Sequence, residues 1–302
     1  MTVSTASPRI SRVGIVAKSH LVAAAPHLSE IASWLLAKSI EPVFETATAA
    51  LAASGRLTVS PKVFDKHALV SAVDLVVVLG GDGTLLSMAD CIGAADVDVP
   101  ILGVNFGRLG FLTEVTLPEL YPALEAALAG RARVEERLML RSTTIRRGSA
   151  LPDNVTLNDV VVTKAAQSRM IELEVSVGDE FVTRVKADGL IVATPTGSTA
   201  YNLAAGGPIV QPGMNALVLT PIAPHMLTNR PIVIPSLSPV RVLPVMGDRD
   251  KVYVTFDGQD GYELEAGDEV RICCAPRRLK LLHSSSRSYF EVLREKLKWN
   301  ER

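Results

Sequence analysis

Leu75-Val76-Val77-Val78-Leu79-Gly80-Gly81-Asp82-Gly83-Thr84 is the stretch whose reading decides the fold. A continuous apolar run of this kind predicts a strand buried on both faces of a parallel sheet. The run stops at three glycines around one aspartate, and Leu85, Leu86, Met88 and Ala89 then predict a helix. The glycines admit backbone conformations closed to other residues and let a second backbone or a phosphate come close. A helix N-terminus just beyond such a turn points unpaired N–H groups at an anion. A carboxylate beside a phosphate cradle points to phosphoryl transfer to a hydroxyl. A helix cap at Asp82 is the simpler explanation, but a cap needs at most one glycine. Two common phosphate loops do not fit. No Gly-Lys-Ser/Thr follows, and Leu86 stands where the third glycine of Gly-x-Gly-x-x-Gly would fall, counted from Gly81.

Around this stretch, strand and helix patterns alternate. Val13 to Ala17 predicts a strand, and Leu28, Ile31, Ala32, Leu35 and Leu36 recur at helical spacing. Pro42 to Glu45 and Ile101 to Val104 are further strands, the latter running into Asn105-Phe106-Gly107. Leu120, Leu124, Ala127 and Leu128 mark a helix before Gly130. This alternation predicts an α/β domain over residues 1–134 with a mostly parallel sheet. Beyond Val134, strand patterns follow one another: Leu138 to Ile145, Val155 to Thr163, Ile171 to Val177, Phe181 to Lys186, Leu190 to Ala193 and Leu217 to Thr220. Ile232 to Ile234, Val240 to Val245, Val252 to Phe256 and Val270 to Cys273 continue the series. Short strands separated by turn residues predict an all-β, β-sandwich domain over 135–275. Tyr289, Phe290, Leu293 and Leu297 share one face of a closing helix in the segment 276–302.

Charge is balanced, with 31 Lys and Arg against 32 Asp and Glu, which gives no reason to expect nucleic-acid or membrane-surface binding. No run is long enough to span a bilayer, and the N-terminus lacks a basic stretch followed by an apolar core. Cys91, Cys273 and Cys274 are too few and too poorly spaced for a disulfide framework or a zinc site, so a reducing, cytoplasmic location is expected.

Thr194-Pro195-Thr196-Gly197-Ser198-Thr199-Ala200-Tyr201-Asn202 follows the strand Asp188 to Ala193 and leads to Ala205-Gly206-Gly207-Pro208. Its hydroxyls and backbone amides suit a phosphate or nucleotide. Asn158-Asp159 interrupts an apolar run, where polar groups cost stability unless satisfied. Either a bulge or a ligand contact accounts for the pair. His225 has no neighbour in sequence that makes a triad or metal set. Gly247 to Asp250 reads as a solvated turn, and Asp257-Gly258-Gln259-Asp260-Gly261 as a hairpin whose side chains could reach a ligand.

Together these pieces resemble the NAD kinase family over nearly the whole chain. Gly80 to Thr84, Asn105-Phe106-Gly107, Asn158-Asp159, Asp188-Gly189 and Thr196 to Tyr201 stand in that family's order. The resemblance implies an active site in the cleft between an α/β and a β-sandwich domain, with the final helix packed back on the first. It implies transfer of the γ-phosphoryl group of ATP to the 2′-hydroxyl of the adenosine ribose of NAD, giving NADP. Asp82 is then the general base, since a positioned carboxylate orients an alcohol and accepts its proton. Gly80, Gly81, Gly83 and Thr84 would hold ATP phosphates. Gly83, Phe106, Asn158, Asp159, Arg169, Lys186, Asp188, Thr199, Ala200, Tyr201 and Gln259 would hold NAD, with Asn158 and Asp159 on the ribose of the nicotinamide side. At Ala204 some relatives carry a serine that touches adenine. Magnesium or another divalent cation would come with the triphosphate, without a dedicated carboxylate cage. A homodimer or homotetramer is also implied.

Two other readings compete. Diacylglycerol-type lipid kinases share the glycine–aspartate loop but would need an apolar substrate entrance, which Asn158-Asp159 and Tyr201 do not suit. A protein that senses a dinucleotide without turning it over would have no use for Asp82.

Overall fold

The computed structural model describes residues 10–54, 60–107, 109–165, 169–226, 228–247, 250–283 and 287–299. The chain forms two compact units, Met1–Glu136 with Leu279–Arg302, and Arg137–Arg278. The first begins with β1 (Arg12–Ala17), α1 (Ala25–Ala37), β2 (Glu41–Glu45), α2 (Thr46–Ser54), β3 (Lys62–Phe64) and α3 (Lys66–Ala72). It continues with β4 (Leu75–Gly80), α4 (Asp82–Ala95), β5 (Ile101–Asn105), β6 (Val115–Thr116), α5 (Leu120–Leu128) and β7 (Arg133–Arg137). The second unit holds β8 (Leu140–Arg146), β9 (Ser149–Ala150), β10 (Asn154–Thr156), β11 (Asp159–Lys164), β12 (Ile171–Val177), β13 (Glu180–Ala187) and β14 (Gly189–Ala193). A short α6 (Tyr201–Ala204) precedes β15 (Ala216–Ile222), β16 (Ile232–Pro235), β17 (Val240–Val245), β18 (Val252–Phe256), β19 (Asp260–Leu264) and β20 (Glu269–Cys274). The chain then returns to the first unit with β21 (Leu279–His283) and α7 (Tyr289–Leu297).

In the first unit the strand order is β3-β2-β1-β4-β5-β21-β7, with β6 beside β5. The β1–β2, β2–β3, β1–β4, β4–β5 and β5–β21 pairings are parallel. All six residues of β4 are buried, as its unbroken apolar run requires. On one face, Leu28, Ile31, Ala32 and Leu35 of α1 pack with Ile15, Val77 and Leu79. The order reverses between β1 and β4. In open α/β sheets ligands bind beyond the carboxyl ends of the strands at such a switch point. The glycine turn leaves β4 at that edge.

The second unit is a pair of antiparallel sheets, β10-β8-β20-β17-β12-β13 with β9 beside β8, and β16-β15-β14-β11-β18-β19. Alternate residues from both meet in one core, including Leu173, Val175 and Val242 from the first sheet and Val160, Val162 and Val254 from the second. Period-two burial of this kind is what a two-layer β architecture demands.

One expectation needs correction, and one strand was not anticipated. The run Val155 to Thr163 is not one strand. It breaks at Leu157-Asn158, and β10 and β11 lie in different sheets. The hairpin expected at Asp257 to Gly261 is present, with β19 paired antiparallel along its length with β18. Strand β21, which carries no strong strand pattern, joins the first sheet beside β5.

His283 closes β21. Its side chain is 11% exposed; Nδ1 lies 2.9 Å from Glu114 Oε2, and Nε2 makes an ion-pair contact of 2.9 Å with Glu135 Oε2. Burial alone would push the imidazole down, but the two carboxylates outweigh it and hold it up at about 9. A raised histidine stabilises fully below its unfolded value near 6.5 and loses that contribution as pH climbs through about 9. Melting temperatures measured between about pH 6 and about pH 10 should therefore fall more steeply for the parent than for His283→Gln. Parallel curves would exclude the pairing as a source of stability.

Candidate active site

Helix α4 begins without a side-chain cap, because Gly81 is its N-cap residue. Asp82 is the first helical residue and does not cap the helix. None of Gly80, Gly81 and Gly83 has a positive φ, so conformational freedom is not why they are glycine. Space separates them. A Cβ on Gly80 would stand 2.9 Å from Thr84 Oγ1 and 3.2 Å from Lys18 Cβ, where β1 and β4 end side by side. A Cβ on Gly81 or Gly83 would meet nothing within 4 Å. Packing explains the first glycine, and at the other two the space beside the helix N-terminus stands open among the described residues. Backbone amides at such a terminus favour an anion.

The Asp82 carboxylate turns to the segment after β5. Oδ1 accepts from Leu112 N at 3.1 Å, Thr113 N at 3.1 Å and Thr113 Oγ1 at 3.0 Å. Oδ2 accepts from Phe111 N at 2.8 Å. A carboxylate offers about four acceptor sites, two per oxygen. Oδ1 is therefore full, while Oδ2 keeps one site for a further donor. Gly110 is needed for this grip, since a Cβ there would stand 2.0 Å from Asp82 Oδ1. The Asn105-Phe106-Gly107 motif supports it from behind: Asn105 Nδ2 donates to Thr113 Oγ1 at 3.1 Å, and Gly107 N donates to Asn105 Oδ1 at 2.6 Å. Phe106 is half-buried, its ring edge-to-face with His27 at 5.7 Å. Lys296 of α7 places Nζ 5.4 Å from the Phe111 ring centroid.

In the second unit, Asn158 and Asp159 lie where the chain crosses from one sheet to the other. Both are buried, at 9% and 4% exposure. The Asp257 carboxylate accepts from Leu157 N at 2.8 Å, Asn158 N at 2.8 Å and Asp159 N at 2.9 Å. No donor among the described residues reaches the carboxylate of Asp159. Burial, and then the charge of Asp257, push that carboxyl up to about 7. A buried carboxyl without donors lacks the hydrogen bonds that buried polar groups require.

The Thr194–Asn202 loop packs directly on this pair. Thr194 N donates to Asn158 O at 2.8 Å, and Thr194 Oγ1 donates to Leu157 O at 2.6 Å. A Cβ on Gly197 would stand 2.1 Å from Asn158 O, so only glycine lets the loop come so close. The loop's hydroxyls are less available than the sequence suggests. Ser198 Oγ donates to Pro195 O and accepts from Val210 N, and Thr194 Oγ1 also accepts from Gly197 N. Thr199 and Ala200 are half-buried, while Tyr201 is 47% exposed and Ala204 is exposed. Gln259, exposed, follows Asp257 in the same turn.

Arg169, Lys186 and Asp188 do not join this cluster. Asp159 pairs with Ala193 at one end of β11, whereas Thr163 pairs with Gly189 at the other. Asp188 thus lies roughly 17 Å along the strand from Asp159 at about 3.4 Å per residue. It faces Lys164 Nζ at 3.3 Å, and Lys186 lies 3.3 Å from Glu172. Arg169 is exposed just before β12. Sequence reasoning missed Asp257, Thr113 and Gly110. Of these only Asp257 stands in a stretch the sequence marks, as a hairpin whose side chains could reach a ligand.

Residues 13–132 match the family model of the ATP-NAD kinase N-terminal domain, and residues 157–284 that of the ATP-NAD kinase C-terminal domain. The chain is similar to an NAD kinase of Geotalea daltonii, 47% identical over 97% of this chain and the whole of that protein. It is 48% identical, with the same coverage, to an NAD kinase of Geobacter sulfurreducens. Its fold is that of a yeast NADH kinase complexed with NADH, at a TM-score of 0.88 and 24% identity over 98% of this chain and 89% of that one. An Archaeoglobus fulgidus NAD kinase in complex with ATP superposes at a TM-score of 0.72 and 26% identity, over 94% of this chain and 99% of that one. An uncapped helix behind an open glycine turn, and a buried carboxyl without donors, thus occur in a chain that belongs to the ATP-NAD kinase family.

Proposed function

We propose that this chain is an ATP-dependent NAD kinase in which Asp82 activates the acceptor hydroxyl. The 2′-oxygen of the adenosine ribose attacks the γ-phosphorus of ATP, the bond to the β,γ-bridging oxygen breaks, and ADP leaves with the bonding pair. The hydroxyl proton passes to Asp82 Oδ2, the oxygen with an acceptor site to spare. Gly80, Gly81, Gly83 and Thr84 frame the triphosphate site. Asn158, Asp159, Thr199, Ala200, Tyr201 and Gln259 are assigned to NAD, with Phe106 and Gly83 from the first unit. Arg169, Lys186 and Asp188 stand apart from these and are assigned to NAD on the resemblance alone.

The observation that carries the reading is the empty acceptor capacity of Asp159. A ribose diol supplies two O–H donors to one carboxylate. A lipid acceptor would leave that buried group unpaired, which disfavours the diacylglycerol-type alternative. Among the described residues no cluster of His, Cys, Asp and Glu could hold a metal. A divalent cation would arrive with the triphosphate and offset its charge. The proposal includes a cytoplasmic homodimer or homotetramer. The free thiols Cys91, Cys273 and Cys274 fit a reducing compartment.

Incubation with NAD, ATP and magnesium, followed by an NADP-specific coupled assay, should give NADP; lipid phosphorylation in diacylglycerol vesicles with no NADP would reverse the assignment. Asp82→Asn should lower kcat by about 10²–10⁴-fold with NAD affinity retained. Because an amide nitrogen would also face the Phe111 N–H, Thr113→Val serves as the control for the loop. Near-normal turnover in Asp82→Asn would remove Asp82 as the base.

Asp159 gives a pH dependence of known sign. If ribose hydroxyls donate to its carboxylate, binding lowers a pKa that is about 7 in the free protein, and a proton is released. NAD affinity should rise between about pH 6 and about pH 8, and this rise should vanish in Asp159→Asn. Titration calorimetry in buffers of different ionisation enthalpy measures the proton directly. A pH-independent affinity in the parent would count against the diol contact.

A further inference from the structure

We propose that Asp257 is a positioning residue for NAD, holding the backbone of Leu157–Asp159 so that the side chains of Asn158 and Asp159 stand ready for the ribose. The inference deepens the assignment of that pair to NAD and rests on it.

The turn that carries Asp257 does not need its carboxylate. Asp257 and Gly258 sit at φ values of 49° and 65°, a left-handed pair that Asp, Asn or Gly adopts. The turn closes through Gln259 N donating to Phe256 O at 2.9 Å. The carboxylate instead leaves the hairpin and closes on amides about 100 positions earlier in the chain: Oδ2 on Leu157, Oδ1 on Asn158 and Asp159. Thr156 ends one sheet and Asp159 begins the other, so the intervening amides lie outside a regular ladder. The carbonyls of the same three residues are also taken. Leu157 O and Asn158 O accept from Thr194, and Asp159 O accepts from Asp257 N at 3.1 Å. Every backbone polar group of the segment is therefore spoken for. Its two polar side chains receive no donor from the described residues. A rigid backbone with free functional side chains is what preorganised recognition requires.

Asp257 is also the charged group that bears on Asp159. The strand partner of Asp159 on β14, Ala193, carries no charge, and the charge that raises the Asp159 carboxyl, after burial, is that of Asp257. Removing the charge therefore has a second consequence, which a purely structural hairpin residue would not have.

Asp257→Asn tests both parts, since asparagine tolerates the positive φ while its Nδ2 is a donor, so its one carbonyl oxygen cannot take the place of both carboxylate oxygens toward the three amides. NAD KM and the calorimetric Kd should rise about 10–100-fold, with kcat at saturating NAD within about threefold and the KM for ATP unchanged. The pH below which NAD binding weakens should move down. Leu264→Ala, which loosens the same hairpin from its core side, should lower the melting temperature without moving the NAD KM or that pH. Equal NAD defects in Leu264→Ala, or an NAD KM within about twofold of the parent in Asp257→Asn, would overturn the proposal. Should Asp257→Asn not accumulate folded, Asp257→Glu keeps the charge but displaces the carboxylate from the three amides; it should raise the NAD KM without the downward pH shift, and an NAD KM within about twofold of the parent would overturn the proposal. Failure of the parent itself to bind NAD would strike at the assignment of the site and leave the backbone grip untouched.

Discussion

Consecutive backbone amides closing on one carboxylate are the interaction on which both functional clusters depend. Hydrogen bonds to a charged acceptor contribute about 1.5–3 kcal/mol each, roughly twice a neutral pair. A run of three amides with no strand partner would otherwise be costly to bury. In the first unit the amides of Phe111, Leu112 and Thr113 meet Asp82. In the second, those of Leu157, Asn158 and Asp159 meet Asp257. The bonding is alike but its use differs. Asp82 is itself the proposed reactive group and is held by the loop, whereas Asp257 holds the loop and leaves Asp159 unfilled.

The surrounding architecture explains why these grips occur where they do. An order that reverses between β1 and β4 leaves a crevice at the carboxyl ends of the strands. The glycine turn opens there because β4 is buried along its whole length and must end before the chain can turn. In the second unit the chain has to pass from the sheet of β10 to that of β11. A crossing between layers interrupts ladder bonding, and the gap is filled by a side-chain acceptor from one neighbour and by Thr194 from another. Polar residues at such a crossing are available for recognition without weakening the aliphatic core on either side.

Much of this was legible in the sequence. The buried parallel strand, its glycine turn and the later succession of short strands follow from periodicity and turn chemistry alone. What was not legible depended on tertiary partners. Strand β21 has no distinctive pattern because five residues beside β5 complete it. The break at Leu157-Asn158 looked like continuous strand because the apolar residues around it belong to two sheets. Asp257 looked like an ordinary hairpin residue, since its φ accounts for Asp without reference to amides a hundred positions away. Ser198 and Thr194 suggested phosphate ligands by type, but their hydroxyls are used inside the protein. Residue type names the chemistry a side chain can do, and only its neighbours decide whether that capacity is already spent.

That principle separates the roles of the carboxylates better than their position in any motif. Asp257 has no need of a ligand, because each of its oxygens already meets an amide and its work is structural support. Asp159 has the opposite character: it is buried, it lies beside a charge, and among the described residues nothing donates to it, so a partner that brings O–H groups would favour its ionised form. Asp82 is intermediate, with one oxygen saturated and the other open. For a phosphoryl transfer through a loose transition state, an acceptor hydroxyl needs orientation more than it needs a strong base. A carboxylate fixed on one side by four hydrogen bonds, with a single direction left free, provides that orientation. Under the proposed function, recognition of the diol falls to Asp159 and alignment of the attacking oxygen to Asp82, two tasks that one carboxylate could not perform at once.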